Sequence, residues 1–284
     1  LILENNNLSG TIPASIGNLT ALKTLILNGN QLTGTLPSTL WDLTLLENLN
    51  LSSNQLTGNI HAEIGNFTVL QELYLNNNLF SGSIPSTIGQ LQNIYTIDLS
   101  YNNFSEEFPS TISEIPMLWT INLSNNQFYG NILNNLSNQL YLGVVDIANN
   151  QFHGSIPEAM GVLEYLTEFN INDNEFTFKD IEPIFGWTNF GNFSYSFTYS
   201  PQADVGTGDT VTLAVGAPLR ISIAEYTPAE HDVFQWFLNE SLLPAEVDSF
   251  IAIPAITAGN AGNYRCEITN TVATALTLNS KNFR

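Results

Sequence analysis

Apolar and polar positions along the first two thirds of the chain follow a fixed 24-residue beat. Asn6, Asn30, Asn54, Asn78, Asn102, Asn126, Asn150 and Asn174 are each 24 residues apart. One copy reads Leu22-x-x-Leu25-x-Leu27-x-x-Asn30-x-Leu32-x-Gly34-x-Leu36-Pro37, and the next repeats it from Leu46 to Ile60. Leu25 and Leu27, two apart, predict a short strand with both side chains facing inward. Asn30 follows where the chain turns, so its amide is buried and must find backbone partners on neighbouring turns. Repetition makes Asn30, Asn54, Asn78, Asn102, Asn126 and Asn150 a structural ladder. Ile16, Leu40, Ile64, Ile88 and Ile112 recur on the return segment and close the core of each coil. Two residues after the asparagine, leucine gives way to Phe80, Phe104, Phe128, Phe152 and Phe176, an expected aromatic spine along one edge.

Leucines in this order at a fixed period are the signature of a leucine-rich repeat. The segment after the asparagine, as in Ser9-Gly10-Thr11-Ile12-Pro13 and Ser81-Gly82-Ser83-Ile84-Pro85, resembles the plant-type class, familiar from receptor-kinase ectodomains and polygalacturonase-inhibiting proteins. The resemblance implies a twisted solenoid with a parallel sheet on its concave face and a second short sheet beside it. It also implies binding, because that class recognises peptides, proteins, hormones and glycans. Plant members usually carry paired cysteines in their caps, whereas this chain has only Cys266, which points to a bacterial protein. About seven to eight repeats are expected over residues 1–190, without the natural N-terminal cap. Glu106 replaces the repeat glycine, His61 and Leu133 replace the proline, and Phe178 replaces the last glycine. The aromatic run from Phe185 to Tyr199 suits the terminal cap that an open solenoid core needs, and residues 191–204 are expected to be cap and linker.

From about residue 205 the period becomes two, the mark of half-buried strands. Val211 to Val215, Leu219 to Ala224, Val233 to Leu238, Phe250 to Ile253, Tyr264 to Thr269 and Ala273 to Leu278 are the predicted strands. Trp236 precedes Cys266 by 30 residues and Tyr264 precedes it by two. This resembles the immunoglobulin pattern of core tryptophan, tyrosine corner and second cysteine. The first cysteine is absent, so Ile221 or Ile223 takes its place, and Cys266 is expected as a buried thiol. The predicted fold class is a repeat solenoid with a parallel concave sheet, residues 1–190, plus an all-β immunoglobulin-like sandwich, residues 205–284.

Charge narrows the partners. Acids outnumber bases 26 to 6, a formal charge of −20, which repels phosphate backbones and anionic membrane surfaces. No apolar run is long enough to span a bilayer. His61, His153 and His231 fall in different columns or domains, and no nucleotide loop, nucleophile elbow or zinc-protease spelling occurs. No catalytic residue, metal or cofactor is expected.

The outward positions of the concave strands can be counted from the period. One column holds Thr24, Asn48, Glu72, Thr96, Thr120, Val144 and Glu168; the next holds Ile26, Asn50, Tyr74, Asp98, Asn122, Asp146 and Asn170; a third holds Asn28, Ser52, Asn76, Ser100, Ser124, Ala148 and Asn172. Carboxylates and amides beside Tyr74, Tyr95 and Trp119 suit a recognition surface. The expected ligand-binding residues are Glu72, Tyr74, Tyr95, Asp98, Trp119, Asn122, Asp146, Glu168 and Asn170. The expected function is non-enzymatic extracellular or cell-surface recognition or adhesion by a monomer, with a protein or glycan ligand of basic character. Two alternatives compete. Regular Ser/Thr columns (Ser9, Thr33, Thr57, Ser81, Ser105) suit ice or a crystalline polysaccharide, and Asp98 with Asp146, about 10 Å apart at two strand spacings, suits a glycan-active enzyme.

Overall fold

The computed structural model describes residues 1–187 and 197–284; the remainder of the expected cap, residues 188–196, lies outside them. The chain divides into two compact units. The first holds Leu1–Phe152 and Ile156–Ile171 with Trp187, Phe197 and Thr198, and the second holds His153–Ser155, Asn172–Gly186 and Tyr199–Arg284.

In the first unit each 24-residue repeat makes one coil. Its inner strand pairs in parallel with the next at an offset of 24: Thr24↔Asn48, Asn48↔Glu72, Glu72↔Thr96, Thr96↔Thr120, Thr120↔Val144 and Val144↔Glu168. With Phe197–Thr198 added at the end, this sheet has eight strands. The middle residue of each strand, from Leu25 through Ile97 to Phe169, points inward and is buried. A second parallel sheet of seven short strands follows the asparagines, from Ser9–Gly10 to Gln151–Phe152.

The inward phenylalanines Phe80, Phe104, Phe128 and Phe152 stack at 6.0–6.1 Å. All four have no solvent exposure, so the spine lies inside the core rather than along an edge. The ladder asparagines each join two coils. Asn102 Nδ2 donates to Leu75 O, one coil back, at 3.0 Å and to Leu99 O and Ser100 O in its own coil, while its Oδ1 accepts from Phe80 N. Asn30, Asn54, Asn78, Asn126 and Asn150 repeat this pattern.

The return segments are 3-10 turns such as Ser86–Gln90 and Ser110–Glu114, each entered from an extended proline. Proline forces the residue before it to be extended. Where Leu133 replaces it, Ile132 turns helical and the segment becomes the α-helix Leu133–Leu136. His61 keeps the extended geometry without proline. Glu106, in the glycine position, retains a left-handed φ of 72°.

The second unit begins with the last coil. Gln202, which has no counterpart in the repeat, does for this coil what a ladder asparagine does elsewhere. Its Oε1 accepts from Phe176 N and Asn174 N, and its Nε2 donates to Tyr199 O. Two antiparallel sheets follow. Leu219–Ser222 pairs with Phe250–Ile253, and Asp232–Leu238 lies between Ser241–Leu243 and Tyr264–Asn270, with Thr277–Asn279 outermost. Trp236 and Cys266 are paired residues on neighbouring strands, and both are fully buried with Ile251, Ile268 and Leu278. Tyr264 donates its hydroxyl to Asn260 O at 2.7 Å, and Trp236 Nε1 donates to Asp248 O. Ile221 and Ile223 are both buried.

One predicted strand does not form. Val211–Val215 is tied to Arg284 only at its start, through Val211 N to Arg284 O and Arg284 N to Asp209 O. Val211, Leu213 and Val215 remain exposed beside a cavity of about 790 Å³ lined also by Ile221, Tyr264 and Phe283. Alternation of apolar residues was present there, but no pairing partner was. The last strand is also shorter than predicted, and Ser241–Leu243 was missed because its alternation is too brief to register. No helix among the described residues is long and apolar enough to cross a membrane.

Candidate functional site

The parallel register turns the outward positions of the eight-stranded sheet into columns. Asp98, Asn122 and Asp146 are direct neighbours in one of them, separated by about 4.8 Å per strand. Their side chains are partly committed. Asp98 Oδ1 accepts from Ser100 N at 3.0 Å and Ser100 Oγ at 2.7 Å, and Asn122 Oδ1 accepts likewise from Ser124. Asn50 caps Ser52 in the same way, and Asp146 Oδ1 accepts from Ala148 N. These residues close the turn after each strand, so Ser52, Ser100 and Ser124 are buried, whereas Asn28, Asn76 and Asn172 of the third column stay half-exposed.

Burial raises the Asp98 carboxyl above its usual range, against the hydrogen bonds from Ser100. Burial also raises Asp146, with a further push from the Asp98 charge and an opposing bond from Asn170. The two therefore shift in the same direction, whereas an acid and base pair is separated by its environment.

Glu72 holds a network across three coils. It accepts from Asn48 Nδ2 in the coil before and from Tyr95 Oη, at 2.9 Å, in the coil after. Tyr74, half-buried between Asn50 and Asp98, has its phenol pushed up by burial and then by Glu72. Glu168 is exposed and Asn170 half-exposed on the last full strand.

Trp119 immediately precedes the strand Thr120–Asn122 and leans across Gly143, where a Cβ would lie 2.5 Å from its Cε2. Beyond it stand Tyr165, with ring centroids 5.9 Å apart, and then Tyr141, parallel to Tyr165 at 6.3 Å. Trp119 and Tyr165 are each 42% exposed, Tyr141 51% and Met117 55%. Met117, Tyr141 and Tyr165 were missed from the sequence. Their 24-residue spacing was visible, but they precede the strands by three residues, outside the columns that strand alternation defines.

No lysine or arginine occurs between Lys23 and Lys179, and Lys23 is paired with Glu47 at 2.6 Å. His61 and His153 are exposed near Glu63 and Glu175, and His231 bonds Glu182, which also accepts from Asn270. Among the described residues no three metal-ligating side chains are grouped to hold an ion.

On the second sheet Thr33, Thr57, Ser81 and Ser105 make a half-buried hydroxyl series that is staggered rather than registered, because these strands pair at an offset of 22, with Thr57 opposite Thr35 and Leu79. It ends at Tyr129, whose hydroxyl donates to Glu106 at 2.8 Å.

Residues 1–56 and 68–128 match the sequence model for the leucine rich repeat. Among solved structures the chain is similar to the Arabidopsis receptor kinase HAESA in complex with the peptide hormone IDA and the co-receptor SERK1. That likeness has a TM-score of 0.60 and 36% identity, over 62% of this chain and 30% of that one. The plant peptide hormone receptor RGFR1 in complex with RGF2 is similar at a TM-score of 0.63 and 28% identity, over 74% of this chain and 34% of that one. A plant ice-binding protein is similar at 0.52 and 28%, over 62% and 64%. The chain thus spans about a third of the length of the two receptor chains. No curated protein matches its sequence. Residues 1–56 and 68–128 thus carry leucine rich repeats, and period, register and likeness agree on a solenoid similar to those of the plant receptor ectodomains.

Proposed function

We propose that the protein is a non-enzymatic extracellular recognition or adhesion protein whose solenoid binds a basic peptide segment of a protein ligand along the eight-stranded sheet. The observation that carries this is charge. Glu72, Asp98, Asp146 and Glu168 line one sheet, and the coils supply no lysine or arginine to offset them after Lys23. Such a field draws cationic ligands and raises their association rate at low salt. The peptide hormones in the HAESA and RGFR1 complexes support a peptide as the ligand class. Copies of a chain of charge −20 repel one another, which supports a monomer. The sandwich, with its Trp236–Cys266 core and Tyr264 corner, serves as an immunoglobulin-like spacer or adhesive module.

The test is a titration of the intact chain with peptides graded in charge. Affinity rising with positive charge and falling with salt is the expected result. Equal affinity for basic, neutral and acidic peptides would remove the proposal.

A second reading is favoured by the likeness to a plant ice-binding protein and by the staggered hydroxyl series Thr33, Thr57, Ser81, Ser105. It takes the second sheet as a template for ice or a crystalline polysaccharide. Thermal hysteresis, or retention on crystalline cellulose, checks it. Thr57→Tyr, which places a large ring within the series, should abolish either activity.

A further inference from the structure

The acids at the centre of the sheet are tied to their own turns, whereas the rings beside them are not. Asp98 and Asp146 each spend one oxygen on the following turn, and Glu72 is shared between Asn48 and Tyr95. The side chains of Trp119, Tyr141 and Tyr165 make no hydrogen bond among the described residues, and all three remain about half exposed. They are nevertheless held in place: Trp119 rests on Gly143, and each ring braces the next. Exposed Glu164 and Glu168 bracket Tyr165 in the sequence.

Aromatic faces beside carboxylates, with no base nearby, attract a cation through the ring quadrupole as well as the charge. This chain fills one such arrangement itself. Arg265 lies 4.0 Å over the Phe237 ring while bonding Glu240 and Glu267. The coil surface carries exposed rings with exposed acids next to them in the chain, Glu164 before Tyr165 and Glu168 on the strand that follows, and no lysine or arginine between Lys23 and Lys179. Resting on the basic-peptide reading above, we infer that Trp119, Tyr141 and Tyr165, with Glu164 and Glu168, form the seat for an arginine or lysine side chain of the ligand. The acids of the sheet steer the peptide in, and the aromatic shelf holds it. A second copy of this chain is a poor occupant, because its own coils carry no lysine or arginine between Lys23 and Lys179.

The experiment uses the intact chain and calorimetric titration with a capped Arg-Gly repeat peptide, its citrulline counterpart of equal shape without charge, and a cello-oligosaccharide. The arginine peptide should bind, and the citrulline peptide should bind about tenfold more weakly. Trp119→Ala and Tyr165→Ala should each weaken the arginine peptide about tenfold, while Trp119→Phe, which keeps a ring, retains most of the affinity. Unchanged melting curves show that each variant is folded. Equal binding of the citrulline peptide overturns the cation seat. If Asp98→Asn with Asp146→Asn abolishes binding while Trp119→Ala and Tyr165→Ala leave it intact, the shelf is wrong and the sheet proposal stands. If the arginine peptide does not bind the parent at all, both fail. Binding of the cello-oligosaccharide that Trp119→Ala removes would replace the cation by a glycan.

Discussion

Asn102 Nδ2 donates to Leu75 O, 27 residues earlier and one coil back, at 3.0 Å. The same side chain accepts from Phe80 N, so two buried backbone groups of one coil depend on an amide from the next. Asn102→Ala should cost about 1–3 kcal/mol, since it strands these groups away from water. Asn103→Ala, at an exposed neighbouring position, should cost less than about 0.5 kcal/mol. Denaturant melts of the two variants check the contrast, and equal costs would contradict the ladder's role.

Asp98 and Asp146 give a pH-dependent prediction. Burial raises both carboxyls in the folded state, so the folded protein prefers them protonated. Their favourable contribution is fully present below the unfolded carboxylate range and is lost as pH rises through the raised folded values. Asp98→Asn with Asp146→Asn removes this loss while keeping the turn caps, because Asn50 and Asn122 make the same bonds. The double variant should therefore melt at least as high as the parent at neutral pH, with the gap narrowing in acid. A large drop in melting temperature at neutral pH would count against this account.

Glu106 occupies a left-handed position, φ 72°, that glycine fills in other coils, such as Gly82 and Gly130. A side chain there costs about 1–2 kcal/mol relative to glycine. Glu106→Gly should accordingly raise the melting temperature by a few degrees, although it removes the exposed bond from Tyr129. Differential scanning calorimetry is the measurement, and an unchanged or lower midpoint would refute the strain argument.

Cys266 is fully enclosed beside Trp236, and burial pushes its thiol up to about 12. The thiolate is the reactive form, so a thiol reagent at neutral pH should label Cys266 only as fast as the sandwich opens. Labelling in parallel with denaturant unfolding is the expected result. Rapid labelling of the native protein would show an open core.

The solenoid was legible in the sequence because each coil is a local statement repeated at a fixed interval. Leu25, Asn30 and Leu36 say what every later copy says, and the register of the inner strands follows, whereas the second sheet pairs at an offset of 22 that the period does not give. The sandwich was legible only where alternation coincided with pairing. Phe250–Ile253 matched its predicted bounds, whereas Val211–Val215 has the alternation but no strand to pair with beyond the single bond from Val211 N to Arg284 O. The site was half legible. Counting placed Asp98, Asn122 and Asp146 in one column, but their use as turn caps depends on side-chain direction, which a period does not encode. Tyr141 and Tyr165 escaped because Trp119 reaches Tyr165 across Gly143 and Tyr141 stacks on Tyr165, contacts between coils rather than along one.

The asparagine ladder has a direction. Each rung belongs to one coil and serves the coil before it, so a coil is complete only when another follows. The last coil has no successor of its own kind, and Gln202 supplies the missing rung from outside the repeat. Array length and array ending are therefore separate inheritances. Whole 24-residue units can be deleted or duplicated upstream while the same terminal fastening still serves whichever coil comes last. A break between Asn174 and Gln202 leaves that coil's amides open, and unravelling would begin from this end.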